Sequence, residues 1–169
     1  MGKTFAEKIL ALKSGEESVS IGEIVTVSPD VVMSHDNAAA ISKKFKQIGV
    51  DKVIHPERIV IPLDHCVPAA TEKYALNHKI IREFVQEQGI KNFYDINTGI
   101  CHQVLPEKGH TLPGTLVLGS DSHTTTYGAF GAFAAGIGRS EVASIWATGK
   151  IWLKVPETIK INIEGEILR

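Results

Sequence analysis

The sequence predicts a three-layer α/β/α domain on a largely parallel sheet, and three observations carry that expectation. Residues 58–63, 92–96 and 115–118 read as three short strands, the first a buried apolar run. Helical patterns lie between and around them, the clearest being the amphipathic stretch 71–88. Each of the three runs is followed by a segment bearing His or Asp. In α/β sheets, ligands sit beyond the carboxyl ends of the strands.

The elements follow in order. Thr4-Phe5-Ala6-Glu7 has capping-box spacing, so a helix is expected through Ile9, Leu10 and Leu12, stopping at Gly15. Residues 23–33 alternate and are rich in Val, which suggests a strand interrupted by a turn at Ser28-Pro29-Asp30. Asp36 reads as the cap of a helix to Gly49, with Ile41, Phe45 and Ile48 on one face. The helix 71–88 carries Tyr74, Ile80, Ile81, Phe84 and Val85 and closes at Gly89. A Gly/Ala-rich run over 128–138 precedes a helix capped by Ser140 and ending near Gly149. Ile159, Ile161 and Ile163 alternate with polar neighbours, so a closing strand is expected over 157–163. With no repeat and no linker, residues 1–169 read as one domain.

Composition narrows the function. The chain has 43% hydrophobic and 22% charged residues, which excludes disorder and coiled coil. Its 18 basic and 19 acidic residues leave a net charge of -1, so neither nucleic acid nor an anionic membrane is an expected partner. No apolar run approaches the ~20 residues that span a bilayer, and the start lacks a secretory apolar region, which points to the cytoplasm. Met1-Gly2 opens as a myristoylation signal does, but Ala6 stands where that signal needs Ser or Thr. Cys66 and Cys101 are too few for a disulfide framework and for the three or four thiolates that normally hold an iron–sulfur cluster.

The strand ends gather Asp64, His65, His102, Asp121, Ser122 and His123. Imidazoles titrate near neutrality, and a carboxylate on the far ring nitrogen fixes the tautomer and raises basicity, so the set suits proton transfer. Neighbours at a strand end point to opposite sides, so Asp64 need not orient His65 itself. Any one of these residues alone reads equally well as a local cap; their recurrence at three strand ends favours a site. His55, His78 and His110 read as surface or helix residues, with His35 intermediate. A serine nucleophile is disfavoured, because Ser122 and His123 are adjacent and no Gly-x-Ser-x-Gly elbow occurs. A zinc site has acceptable donors but no paired-histidine spacing. The run 128–138 suits either a phosphate loop or a close backbone approach.

Five segments, in order, carry a resemblance. They are Leu63-Asp64-His65-Cys66-Val67-Pro68, Gly99-Ile100-Cys101-His102-Gln103-Val104-Leu105-Pro106-Glu107, Gly119-Ser120-Asp121-Ser122-His123-Thr124, Gly128-Ala129-Phe130-Gly131 and Gly136-Ile137-Gly138. Together they resemble the aconitase superfamily over essentially the whole chain, most closely its isopropylmalate dehydratase large-subunit branch. The homoaconitase and dimethylmalate dehydratase branches are near neighbours. The resemblance implies a hydro-lyase of leucine biosynthesis that interconverts 2- and 3-isopropylmalate by dehydration and rehydration. It also implies a [4Fe-4S] cluster with one iron free of protein ligands, a small hydroxy di- or tricarboxylic acid substrate, and a separate small subunit whose Ser is the base.

Carried over by motif, His65 resembles the acid that protonates the departing hydroxyl, assisted by Asp64. Asp121 and His123 resemble the pair that hydrogen-bonds the iron-bound hydroxyl, with His102 partnering Asp121. Ser122 resembles a substrate-carboxylate ligand, and His35 falls where relatives place a substrate-binding Gln or His. The family's cluster cysteines, including a Cys-x-x-Cys pair, lie in a further domain. No such pair occurs here, so no metal ligand is assigned to this chain. The expectation is therefore the first domain of a larger large subunit, inactive without the rest. The competing expectation is a standalone module that holds zinc or a small dicarboxylate.

Overall fold

The computed structural model describes residues 2–165; Met1, and with it the first position of the myristoylation pattern, lies outside them. A five-stranded parallel sheet has the order β4-β3-β2-β5-β6, from β2 (Val31–Met33), β3 (Ile59–Pro62), β4 (Asn92–Tyr94), β5 (Leu116–Gly119) and β6 (Phe133–Gly136). Its central strands are buried throughout, as parallel strands covered on both faces should be. The chain runs outward from β2 through β3 to β4, then returns to place β5 on the other side of β2. The crevice between β2 and β5 is thus the switch point at which such sheets bind ligands.

Local chemistry sets the helices. In α1 (Phe5–Ser14) the capping box forms in full between Thr4 and Glu7. Thr71 caps α3 (Glu72–Gln88), and Gly89 ends it in the left-handed conformation. One sheet face is covered by α2 (Ala38–Ile48), α3 and α5 (Arg139–Thr148) around Phe45, Phe84 and Trp146. Phe84 stacks on Trp146 at 5.2 Å, and Phe45 meets both rings edge-on. Such aromatic pairs add ~0.5–1.5 kcal/mol each beyond the area they bury. The opposite face is covered by α4 (Cys101–Glu107) and a 3₁₀ segment, Ser122–Phe130, packed through Cys101, Leu105 and Tyr127. No helix of the described residues is long and apolar enough to cross a membrane.

Four expectations need correction. Residues 23–33 form two strands in different sheets: β1 (Ile24–Val27) pairs antiparallel with β7 (Ile151–Lys154), while β2 joins the central sheet. The closing strand is β7, not 157–163; Ile159, Ile161 and Ile163 are 87%, 79% and 94% exposed, and no sheet edge among the described residues meets them. A period-2 pattern makes a strand only where an edge accepts its backbone. Helix α5 starts at Arg139 with Gly138 at its cap, not Ser140. Asn37, not Asp36, stands at the cap of α2, because the Asp36 carboxylate is used elsewhere.

The glycine-rich run is no phosphate loop. It supplies the end of the 3₁₀ segment and all of β6. A Cβ at Gly136 would stand 2.7 Å from the Asp121 carbonyl oxygen, and one at Gly119 would stand 2.9 Å from the Met33 side chain. Both glycines let backbone pass close beside the segment that carries Asp121.

Candidate active site

The polar residues converge where β2, β3 and β5 end. Asp36 organises the first two ends. Its Oδ2 accepts the N–H groups of Asp64 (2.9 Å) and His65 (2.8 Å), and its Oδ1 accepts from His78 Nε2 (2.7 Å). Both side chains of the Asp36–His78 pair are buried. Burial alone would raise the Asp36 pKa, but the two backbone donors and His78 outweigh it and hold the carboxyl below its ordinary value.

With the backbone so fixed, Asp64 turns to its own neighbour. Asp64 Oδ1 lies 2.6 Å from His65 Nδ1, and its Oδ2 accepts the N–H of Cys101 at the start of α4. Asp64 does orient the adjacent His65, contrary to the strand-alternation argument, because the chain has left β3 and bends there. The far nitrogen of His65, Nε2, lies 3.4 Å from Asp121 Oδ2. Burial pulls the His65 pKa down; the hydrogen bond and charge of Asp64, with the charge of Asp121, pull harder, and the net shift is upward. The ring stays 39% exposed, so its proton faces the open rim.

Asp121 is the hub of the other side. Its Oδ1 lies 3.0 Å from His102 Nε2 and 3.3 Å from His123 Nδ1, and it also accepts the His123 backbone N–H (2.8 Å). Burial opposes ionisation of Asp121, but these donors hold its pKa below the ordinary value. His123 is exposed and Ser122 lies beside it at the surface, so Ser122 flanks the cluster without touching the His65 pair. His102, Asp121 and His123 bring three donor atoms within 4.8 Å of one another, and His35, Asp36, Asp64 and His65 bring four; these are the donor sets that could hold a cation.

His35 stacks on His65 with ring centroids 3.8 Å apart. Its tautomer follows from Asn37. The Asn37 amide nitrogen donates to the Ser120 carbonyl (3.1 Å), which can only accept, and its oxygen accepts from Ser120 Oγ (2.8 Å). That same amide nitrogen lies 2.8 Å from His35 Nε2, which must then be the acceptor. His35 is therefore neutral with its proton on Nδ1, a buried donor that finds no acceptor among the described residues. Burial, then the neighbouring His65 charge, pushes its pKa down to about 4.

Of the two thiols, Cys101 does not suit an iron–sulfur cluster. Cys101 is fully buried, and burial followed by the Asp64 charge pushes its pKa far above the ordinary range, whereas a cluster ligand must be a thiolate. Cys66 is a half-buried free thiol.

Comparison with known proteins shows the family. The family described as "Aconitase family (aconitate hydratase)" matches residues 7–169. This chain belongs to the aconitase family. Among curated aconitase-family relatives, a 3-isopropylmalate dehydratase large subunit 1 of Methanopyrus kandleri is 53% identical over 168 residues, covering 99% of this chain and 40% of its own length. One from Aquifex aeolicus, a 3-isopropylmalate dehydratase large subunit, is 48% identical over 168 residues, covering 99% and 39%. A probable methanogen homoaconitase large subunit of Methanosarcina mazei is 53% identical over 139 residues, covering 82% and 36%. The chain thus spans about two fifths of the length of the relatives it matches.

Sequence reasoning missed three residues of this candidate site: Asp36 as an anchor, Asn37 as the arbiter of the His35 tautomer, and His78 as a buried partner. His78 had a legible signal. It precedes the buried Ile81 and Val85 by one and two helical turns, so it lies on the inward face of α3. Tyr94 explains another histidine, since its hydroxyl meets His110 Nε2.

Proposed function

We propose that this chain supplies the proton-donating wall of a hydro-lyase that isomerises 2- and 3-isopropylmalate by dehydration and rehydration. One observation carries the reading: the half-exposed His65 imidazole has Asp64 on one ring nitrogen and Asp121 near the other. Hydroxide is a poor leaving group, so its departure needs a proton delivered at the right moment. An imidazolium held by two carboxylates is such a donor. His65 gives its Nε2 proton to the departing hydroxyl, which leaves as water, while Asp64 keeps the Nδ1 proton and the ring orientation. Asp121, with His102 and His123, holds the oxygen being lost or returned, and neutral His35 and Ser122 offer N–H and O–H groups to substrate carboxylates.

The names of the relatives support the substrate class, and their description as large subunits supports a companion subunit. The remainder of the large subunit and a separate small subunit complete the enzyme, and residues 1–169 act as one domain of it, inactive alone. Membership of the family implies a [4Fe-4S] cluster for the whole enzyme, which supplies Lewis acidity when bound; its thiolates come from outside this chain. The free thiols Cys66 and Cys101 fit a reducing, cytoplasmic setting. The 53% identity to a homoaconitase large subunit supports a second reading, the same chemistry on a hydroxy tricarboxylate.

The test is His65→Gln in the assembled enzyme, followed by the rate at which the unsaturated acid forms. The expected result is a loss of about 10²–10⁴-fold in kcat, the scale of a general acid, with cluster absorbance unchanged. A kcat within threefold of the unsubstituted enzyme would overturn the assignment.

A further inference from the structure

Beside the stacked His35–His65 pair lies a cavity of about 480 Å³, within the size range of small-molecule sites. Its wall carries Lys43 from α2, Lys73 from α3 and Arg139 at the start of α5. None of the three joins an ion pair among the described residues, and here they share one wall. The carboxylate on the wall, Asp36, already accepts from three donors. His65 adds a ring whose environment favours the charged form, and His35 adds a buried Nδ1–H without an acceptor. Three uncompensated cations converge on a hollow whose carboxylate is neutralised internally. That arrangement is complementary to a compact polyanion and not to an apolar or cationic group.

We propose that this cavity is a polycarboxylate subsite in which Lys43, Lys73 and Arg139 hold the carboxylates of the hydroxy acid that lie away from the hydroxyl leaving beside His65. Naming the anion a substrate presupposes the dehydratase reading; the anion site itself does not. Charge on the wall then sorts acids by the number of their carboxylates, because a monocarboxylate leaves cations unmatched. Bidentate pairing by Arg139 adds direction to what the two lysines supply as point charges.

The probes are tricarballylate, which has three carboxylates and no hydroxyl, and isobutyrate, which has one. Binding of each to the full chain is followed by amide chemical shifts at low and at 0.5 M salt. Tricarballylate is expected to shift amides around Lys43, Lys73 and Arg139, to weaken as salt screens it, and to bind at least tenfold tighter than isobutyrate. The double variant Lys43→Gln/Arg139→Gln, at exposed positions that leave the core intact, should weaken tricarballylate about tenfold, as should Lys73→Gln to a smaller degree. No tricarballylate binding, equal binding of isobutyrate, or a double variant within twofold of the unsubstituted chain would overturn the subsite.

A second measurement separates this from the activity. In the assembled enzyme the double variant should raise KM severalfold more than it lowers kcat, the reverse of His65→Gln. If His65→Gln keeps full kcat while the double variant raises KM, the acid assignment falls and the subsite stands. If KM is unmoved while His65→Gln abolishes turnover, the subsite falls alone.

Discussion

The ends of β2 and β3 lie side by side, and each presents an imidazole. The two rings stack at 3.8 Å yet are driven in opposite directions. His65 has carboxylates near both nitrogens and is biased toward the charged form, whereas His35 has an amide donor on one nitrogen and is pushed down to about 4. Two charged rings at that distance would repel, so one ring carries the proton and the other must stay neutral beneath it. Identical side chains become donor and platform: the Asp64 carboxylate lifts one, while burial and the His65 charge lower the other and Asn37 fixes its tautomer.

The strongest way to break this contrast is Asp64→Asn. It removes the charge that lifts the His65 pKa and leaves the ring less protonated at neutral pH. In the assembled enzyme kcat should fall about 10²-fold or more, and a proton NMR titration of the chain should place the His65 midpoint lower. An unmoved midpoint would show that Asp64 does not set the charge of this ring.

Next in size is Asp36→Ala, which leaves two backbone N–H groups and His78 Nε2 without their buried acceptor. Urea unfolding should show a loss of about 3–5 kcal/mol. The Asp36 carboxyl titrates below its ordinary value, so the stability it gives is complete above pH ~4 and fades as acid protonates it. Asp36→Asn should therefore flatten the acid limb of the stability curve. A limb as steep as that of the unsubstituted chain would assign the effect to other carboxylates.

Asn37→Asp erases the contrast without emptying any space. A carboxylate there accepts where the amide donated, so His35 gains a proton on Nε2 and its midpoint should climb from about 4 by a unit or more. The sign with pH then reverses. Neutral His35 gives stability that is full above pH ~6.5 and is lost as pH falls toward 4, while charged His65 gives stability that is full below ~6.5 and is lost as pH rises. In the variant both rings follow the second pattern. The smallest effect is expected at a pair remote from both rings: Arg82 and Asp95 meet through two hydrogen bonds on the exposed surface, and Asp95→Asn should cost at most ~1 kcal/mol in the same unfolding assay. A larger loss would show that α3 is anchored through its outer face.

Much of this arrangement was legible in the sequence, and the limits have physical causes. The buried strands β3 and β5 announced themselves as short apolar runs ending in polar residues, and half-buried β4 through its aromatic pair Phe93-Tyr94. The short strands β6 and β7 did not, since Phe133–Gly136 is half-buried and nearly all Gly or Ala, and Ile151–Lys154 is an edge whose partner lies over 120 residues away. The residues His65, His102 and Asp121 stood out by type and placement. What joins them did not, because Asp36, Asn37 and His78 act through contacts between β2, β3 and α3 that no local pattern records.

The placement of β5 beside β2 has a consequence for how this site comes into being. The Leu116 N–H donates to the Asp30 carboxylate and the Asp30 N–H to the Leu116 carbonyl, closing a loop of 86 residues. Until that loop closes, β2 is the edge of the sheet, paired only with β3, and Asn37 has no Ser120 carbonyl to fix its amide. Non-local pairings of this kind form late, after the entropy of closing the long loop has been met. The neutral platform under His65 is accordingly among the last features to assemble during synthesis. A nascent chain that has made β2 and β3 but not β5 has Asp64 beside His65, but no Ser120 carbonyl to hold the Asn37 amide against His35.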